Sequence, residues 1–183
     1  MKIPRIISNK RAPGMTLVEL LIAMSIASLV LIAVGCLSLY VCRSYAALAN
    51  YSDLDQASQH ALDSMSRDIR QTMGLIGYNT NGGQQTLVFS NWDGTHLTYT
   101  WTPASRELVR KETGQADTVL LTQCDSLFFD LSQRNPSNNF TFYPISGTNT
   151  AKLVDITWTC SRQILQAKVN TESVQTAKIV IRN

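Results

Sequence analysis

The sequence is poor in the residues that carry catalysis in most enzymes. Its 183 residues include two histidines, His60 and His96, and four cysteines. No HExxH pair, Cys-x-x-Cys pair, glycine-rich phosphate loop or Gly-x-Ser-x-Gly elbow occurs in it. We expect His60 on the solvated face of a helix and His96 beside a turn. These absences predict a protein that is not an enzyme and that holds no metal or other cofactor.

Most of the chain also has no excess of positive or negative charge. The net charge of +3 arises from four basic residues that precede Met15, namely Lys2, Arg5, Lys10 and Arg11. All 13 acidic residues follow Gly14 and are nearly balanced there by 12 basic ones. The chain beyond Gly14 therefore lacks the positive surface that binds phosphate backbones, and no contact with nucleic acid is predicted.

A long stretch near the N-terminus contains no charge at all. Leu20 to Cys42 is a run of 23 uncharged residues rich in Leu, Ile, Val and Ala. A helix of that length crosses a hydrocarbon core of roughly 30 Å. Four basic residues precede it, whereas only Arg43 follows it before Asp53 and Asp55. The positive-inside rule therefore places the N-terminus in the cytoplasm and the large C-terminal part outside.

Proline is absent between Pro13 and Pro103, and the helical pattern continues beyond the apolar run. Apolar residues recur there at steps of three and four, which is typical of a helix buried on one face. The sequence predicts one continuous helix from about Thr16 to Met73, ended by Gly74. The residues predicted to be buried are Leu54, Ala57, Ala61, Met65, Ile69 and Met73.

Beyond residue 84 the pattern is typical of strands. The segments 86–92 and 95–101 flank Asp93-Gly94, which predicts a hairpin with a two-residue turn. Segment 118–132 is interrupted by Gln123 and Asp125, which indicates a bend or bulge. The other predicted strands are 106–112, 152–160, with Val154, Ile156, Trp158 and Cys160 facing inward, and 176–183. We expect an α+β fold in which one long helix packs against five or six mostly antiparallel strands, with all three tryptophans in the core or on a sheet face.

The segment RAPGMTLVELL (11–21) carries a resemblance to a known family. A basic leader, Gly14, an apolar helix and Glu19 as the fifth residue after that glycine resemble the processing and methylation signal of type IV pilins and type II secretion pseudopilins. The order of a helix followed by a sheet is similar, more loosely, to J-type minor pseudopilins and W-type minor pilins. The resemblance implies cleavage between Gly14 and Met15, N-methylation of Met15, and a role for Glu19 in subunit register.

This resemblance also implies a domain organisation and a set of partners. Residues 1–14 would be a cleaved leader, 15–42 the transmembrane half of the helix, 43–73 its amphipathic half, and 74–183 a β-rich periplasmic or extracellular region, which we call the head. The implied partners are other pilin or pseudopilin subunits, a prepilin peptidase, the inner membrane and an assembly platform. The implied function is that of a minor pilin or pseudopilin that initiates or caps a fibre.

Two alternatives compete for the N-terminal signal. In the first, Glu19 is an acid in the opening turn of a helix, favoured by the helix dipole, and the protein is a signal-anchored sensor or binding protein. In the second, Gly35 and Cys36 form a lipoprotein processing site. The apolar residues that follow Cys36 disagree with the second alternative, because a mature lipoprotein normally begins with a polar tether.

Export of the C-terminal part makes a disulfide permissible there. Cys36 and Cys42 belong to the apolar helix, which leaves Cys124 and Cys160 as the candidate pair. Spacing alone does not establish that their Cα atoms approach closely enough. Two buried thiols remain the alternative.

Overall fold

One helix passes through both compact units of the chain. The computed structural model describes residues 14–135, 141–163 and 172–181. The chain divides into units 1–44 and 45–183. Helix α1 (Leu17–Gln71) contributes residues to both units, so the predicted long helix is confirmed. Of the predicted leader, only Gly14 belongs to the described residues, and the proposed domain boundaries stay a prediction.

The described residues after α1 form nine strands, more than the five or six that the sequence predicts. Their bounds are β1 (Gly74–Asn79), β2 (Gln85–Ser90), β3 (His96–Thr102), β4 (Glu107–Glu112), β5 (Thr118–Leu121), β6 (Cys124–Arg134), β7 (Phe142–Pro144), β8 (Leu153–Ser161) and β9 (Glu172–Val180). They make two antiparallel sheets, the first in the order β1-β2-β3-β4-β5 and the second in the order β7-β6-β8-β9. The fold is α+β with a pilin-like layout, as predicted.

The predicted hairpin between β2 and β3 is present, but its turn is longer than the sequence suggests. The Asn91 N–H donates to the Thr95 carbonyl at 2.9 Å, and the Gly94 N–H donates to the Asn91 carbonyl at 3.2 Å. Three residues therefore lie between the paired ends, not two. Gly94 has a φ of +82°, a conformation that glycine adopts without steric strain and that typically closes a three-residue hairpin.

The interruption predicted at Gln123 and Asp125 is confirmed. Gln123 lies between β5 and β6 with a φ of +60°. The register of β6 against β8 then shifts between Cys124 and Ser126, so Asp125 is the extra residue of a bulge. One long apolar segment thereby supplies an edge strand to the first sheet and an inner strand to the second.

The buried face of α1 within the second unit differs from the prediction at two positions. Ala57 and Met73 are exposed. Ser58 replaces Ala57 in the buried stripe because its hydroxyl accepts a hydrogen bond from the Trp158 indole Nε1 at 3.3 Å. Met73 leaves the stripe because the helix has already ended at Gln71. The buried helix residues are Leu54, Ser58, Ala61, Met65 and Ile69.

The sheets contribute most of the remaining core. The four residues of β8 predicted to face inward, Val154, Ile156, Trp158 and Cys160, are all buried. Trp101 and Trp158 are buried as expected. Trp92 is not, because it occupies the turn between β2 and β3, where its side chain is 72% exposed.

Hydrogen-bonded charges attach the helix to the first sheet. Asp68 of α1 accepts a hydrogen bond from the Tyr99 hydroxyl at 2.8 Å and from Arg110 Nε at 2.7 Å. Arg110 also donates to Glu112 at 2.8 Å. Burial, with the nearby Asp68 carboxylate, raises the pKa of Tyr99 well above its usual value. This network links α1 to β3 and β4.

Other polar contacts attach an earlier part of the same helix to the second sheet. Arg162, just after β8, forms an ion pair with Asp53 at 3.2 Å. Gln175 of β9 donates to Asp55 at 2.9 Å. The second half of α1 is therefore part of the second unit and not an appendage to it.

Candidate functional site in the N-terminal signal

The apolar half of α1 has the properties of a membrane-crossing segment. Every described residue of the first unit, 14–44, is exposed. The helix is long and apolar enough near its N-terminus to cross a membrane. The hydroxyls of two serines inside it have hydrogen-bond acceptors in the same helix. Ser25 donates to the Ile22 carbonyl and Ser28 to the Ser25 carbonyl, each at 2.8 Å. This part of the helix therefore suits a hydrocarbon environment, in which polar groups need partners within the protein.

Glu19 has a defined partner at the start of the helix. The Thr16 N–H donates to Glu19 Oε2 at 2.8 Å, and the Thr16 hydroxyl donates to the same oxygen at 2.9 Å. The Glu19 N–H donates back to Thr16 Oγ1 at 3.2 Å. These reciprocal bonds are a capping box, which satisfies N–H groups that the first turn of a helix otherwise leaves without partners.

The sequence interpretation singled out Glu19 and missed Thr16. The signal was present, since Thr16-Leu-Val-Glu19 has the spacing of a Ser/Thr-x-x-Glu capping box. The geometry gives Glu19 a local role in starting α1. Its role in pairing with a neighbouring subunit stays a prediction.

The predicted cleavage site lies immediately before this capping box. Gly14 and Met15 precede the helix and are exposed. A Cβ built on Gly14 would meet nothing within 4 Å. The fold therefore does not itself demand glycine at position 14.

The two histidines considered for chemistry do not come together. His60 and His96 are exposed and lie on different elements, α1 and β3. Within residues 14–135, 141–163 and 172–181, no group of three His, Cys, Asp or Glu side chains is placed to hold a metal ion.

The candidate cysteine pair does come together. Cys124 of β6 and Cys160 of β8 are Cα partners in the second sheet, and both side chains are buried. The structure holds them as free thiols. Cys36 and Cys42 are exposed residues of α1. The sheet register thus supplies the proximity that spacing alone left open, while the bond itself stays a prediction.

Comparison with known proteins bears on this N-terminal region. A family model described as the prokaryotic N-terminal methylation motif matches residues 9–35. No curated protein and no solved structure matches the chain. The match contains Gly14, Met15, the Thr16–Glu19 capping box and the first part of the apolar helix. The chain therefore carries a prepilin-type N-terminal signal of the kind found on type IV pilins and pseudopilins, joined to an α+β fold of pilin-like layout.

Proposed function

We propose that this chain is a minor pilin or pseudopilin, a non-enzymatic structural subunit that initiates or caps a type IV pilus-like or type II secretion pseudopilus fibre. The observation that carries the proposal is the methylation motif at residues 9–35, which continues directly into an unburied apolar helix. The looser likeness to J-type pseudopilins and W-type pilins supports a minor role.

The proposed topology follows from the distribution of charge. Basic residues precede the apolar segment, and the first carboxylates beyond it are Asp53 and Asp55. The N-terminus would remain in the cytoplasm, the apolar half of α1 would cross the inner membrane, and the head would lie in the periplasm before assembly. This orientation exposes the Gly14–Met15 bond at the cytoplasmic face, where a membrane-embedded prepilin peptidase would cut it.

Cleavage would create a positive charge close to the Glu19 carboxylate. A new cationic amine on Met15 would lie about one helical turn from the Glu19 carboxylate. In a medium of low dielectric, opposite charges attract far more strongly than in water. Pairing of this carboxylate with the amine of a neighbouring subunit would select one axial register among the many that uniform apolar helices allow.

Export and processing test the proposal together. The full chain is expressed with a prepilin peptidase, and the membrane fraction is analysed for its N-terminus and for assembly with partner subunits by crosslinking. We expect a chain that begins at Met15 and crosslinks to other pilin-like subunits through the apolar half of α1. An uncut chain that forms no such crosslinks would support the signal-anchored sensor or binding protein instead.

A further inference from the structure

Two buried cysteines face each other across neighbouring strands of the second sheet. Cys124 is the first residue of β6, and its Cα partner is Cys160, the next-to-last residue of β8. Their side chains are 0% and 1% exposed. A pair of thiols at matching positions on antiparallel strands is placed to react with each other and not with solvent.

The backbone hydrogen bonds show which kind of strand pair this is. The Cys124 N–H donates to the Arg106 carbonyl at 2.8 Å, so it does not bond the opposite residue, Cys160. The Ser161 N–H, one residue after Cys160, donates at 3.1 Å to the carbonyl of Gln123, one residue before Cys124. This pattern marks Cys124 and Cys160 as a non-hydrogen-bonded pair, whose Cα atoms typically lie roughly 4.5 Å apart. That separation falls within the roughly 4.4–6.8 Å that disulfides span.

We propose that Cys124 and Cys160 form a disulfide bond in the exported protein. The proposal rests on the proposed function for one point, namely that the head reaches an oxidising compartment. Cys36 and Cys42 take no part, because they belong to the apolar half of α1.

Formation of the bond requires a thiol oxidant that itself carries a disulfide. One cysteine thiolate of the pair attacks a sulfur of the oxidant, and one thiolate leaves the oxidant. The second cysteine then attacks the mixed disulfide, which forms the Cys124–Cys160 bond and releases the oxidant as a dithiol. The two cysteines lose two protons and two electrons, and the oxidant disulfide gains the two electrons.

Burial of both cysteines determines when the disulfide can form. Hydrogen bonding to Cys160, with burial, raises the pKa of Cys124 well above its usual value, and exchange proceeds through thiolates. Neither sulfur is accessible in the folded head. The bond therefore forms while the chain is folding after export, and the folded head then shields it from reductants.

The disulfide would reinforce a part of the head that an ion pair and hydrogen bonds already stabilise. Asp125, the bulge residue next to Cys124, forms an ion pair with Arg106 and accepts a hydrogen bond from the Ser161 hydroxyl. Arg106 also donates to the Ser161 carbonyl at 3.1 Å. The disulfide and the hydrogen bond from Ser161 to Asp125 would together join the start of β6 to the end of β8.

Thiol trapping in the full-length exported protein tests the proposal. Membranes are denatured in acid, free thiols are blocked with N-ethylmaleimide, and a second reagent marks the cysteines released by reduction. We expect the first reagent on Cys36 and Cys42, the second on Cys124 and Cys160, and one peptide pair joined by Cys124–Cys160. Blocking of all four cysteines before reduction would overturn the proposal.

Protease access to the head in spheroplasts separates this proposal from the function on which it rests. A periplasmic head with free Cys124 and Cys160 would overturn the disulfide alone. A cytoplasmic head with free thiols would overturn both the disulfide and the proposed topology.

Thermal unfolding of the full chain in detergent gives a second test. Cys124→Ala, Cys160→Ala and the double variant should each lower the unfolding midpoint by a similar amount, on the order of 10 °C, because each removes the same bond. The Cys36→Ser/Cys42→Ser control should keep the wild-type midpoint. Two independent buried thiols would instead give losses that add in the double variant, and that result would contradict the bond.

Discussion

Thr16 and Glu19 bond each other in both directions across the first turn of α1. The Thr16 N–H reaches Glu19 Oε2 at 2.8 Å, and the Glu19 N–H reaches Thr16 Oγ1 at 3.2 Å. Cleavage after Gly14 would keep both residues in the mature chain. The carboxylate that would pair with a neighbouring amine is thus already oriented by a residue of its own helix.

The first prediction concerns cleavage. Gly14→Val should block processing and leave the leader attached, because a small residue beside the scissile bond lets the backbone enter a peptidase cleft. Gly35→Val is a matched control, since a Cβ at Gly14 or at Gly35 meets nothing within 4 Å in this structure. The control should be processed as the wild type is. Immunoblotting with the peptidase present and absent measures both, and normal processing of Gly14→Val would place the cleavage site elsewhere.

The second prediction separates the charge of Glu19 from its capping role. Glutamine also completes a capping box, so Glu19→Gln should keep the local bonds while removing the charge. Membrane insertion should survive, because an uncharged residue is less costly in a membrane. Crosslinking to partner subunits should fall at least about tenfold, which corresponds to a loss of about 1.4 kcal/mol of association free energy.

Two controls accompany this substitution. Asp63→Asn removes a carboxylate from an exposed position of α1 in the second unit and should leave crosslinking unchanged. Membrane fractionation checks that each variant is inserted. Equal crosslinking by the wild type and Glu19→Gln would leave Glu19 with only its capping role and would favour the signal-anchored alternative.

A third prediction concerns the boundary of the second unit. A fragment that begins at Tyr45, where that unit begins, should be a soluble folded monomer. A fragment that begins at Gly83 lacks Leu54, Met65 and Ile69, whose burial contributes roughly 1.5–3 kcal/mol each, and should aggregate. That loss is comparable to the whole stability of an ordinary domain. Size-exclusion chromatography with circular dichroism distinguishes the two, and a folded monomer from Gly83 would show that α1 is dispensable for the core.

The fourth prediction concerns alkaline pH. The pKa of Tyr99 is raised in the folded chain by burial and by Asp68. A raised pKa means that its stabilising contribution is complete below the unfolded value near 10 and is lost as pH rises from there toward the folded pKa. Tyr99→Phe should lower stability by about 1–2 kcal/mol at pH 8, through the lost hydrogen bond to Asp68, and by less at pH 11. Denaturant unfolding at the two pH values measures this, and an equal loss at both would contradict the linkage.

Periodic patterns along the sequence predicted the longest elements well. The stripe from Leu54 to Ile69 and the inward alternation of β8 depend only on the repeats of a helix and a strand, which a sequence displays directly. The break at Gln123 was also visible, because polar residues interrupt an apolar run. These features needed no knowledge of which strands pair.

Elements that depend on partners distant in the sequence could not be predicted from it. β1 (Gly74–Asn79) contains two glycines and lies before residue 84, where the predicted strands begin. It becomes a strand by pairing with β2. β7 has only three residues and is defined by its pairing with β6. Trp92 was predicted in the core or on a sheet face, whereas its position in a turn exposes it. The Cys124–Cys160 proximity likewise follows from sheet register and not from spacing.

The central claim is that Gly14 is the last residue of a leader that is removed from an assembling subunit. Mass spectrometry of the N-terminal peptide, taken from the membrane fraction of cells with an active prepilin peptidase, tests it most directly. We predict a mature chain that begins at Met15 and carries a methyl group on its amine. A mature protein that still contains Ile3 or the intact residue 1 would contradict the account, whatever the fold of the head.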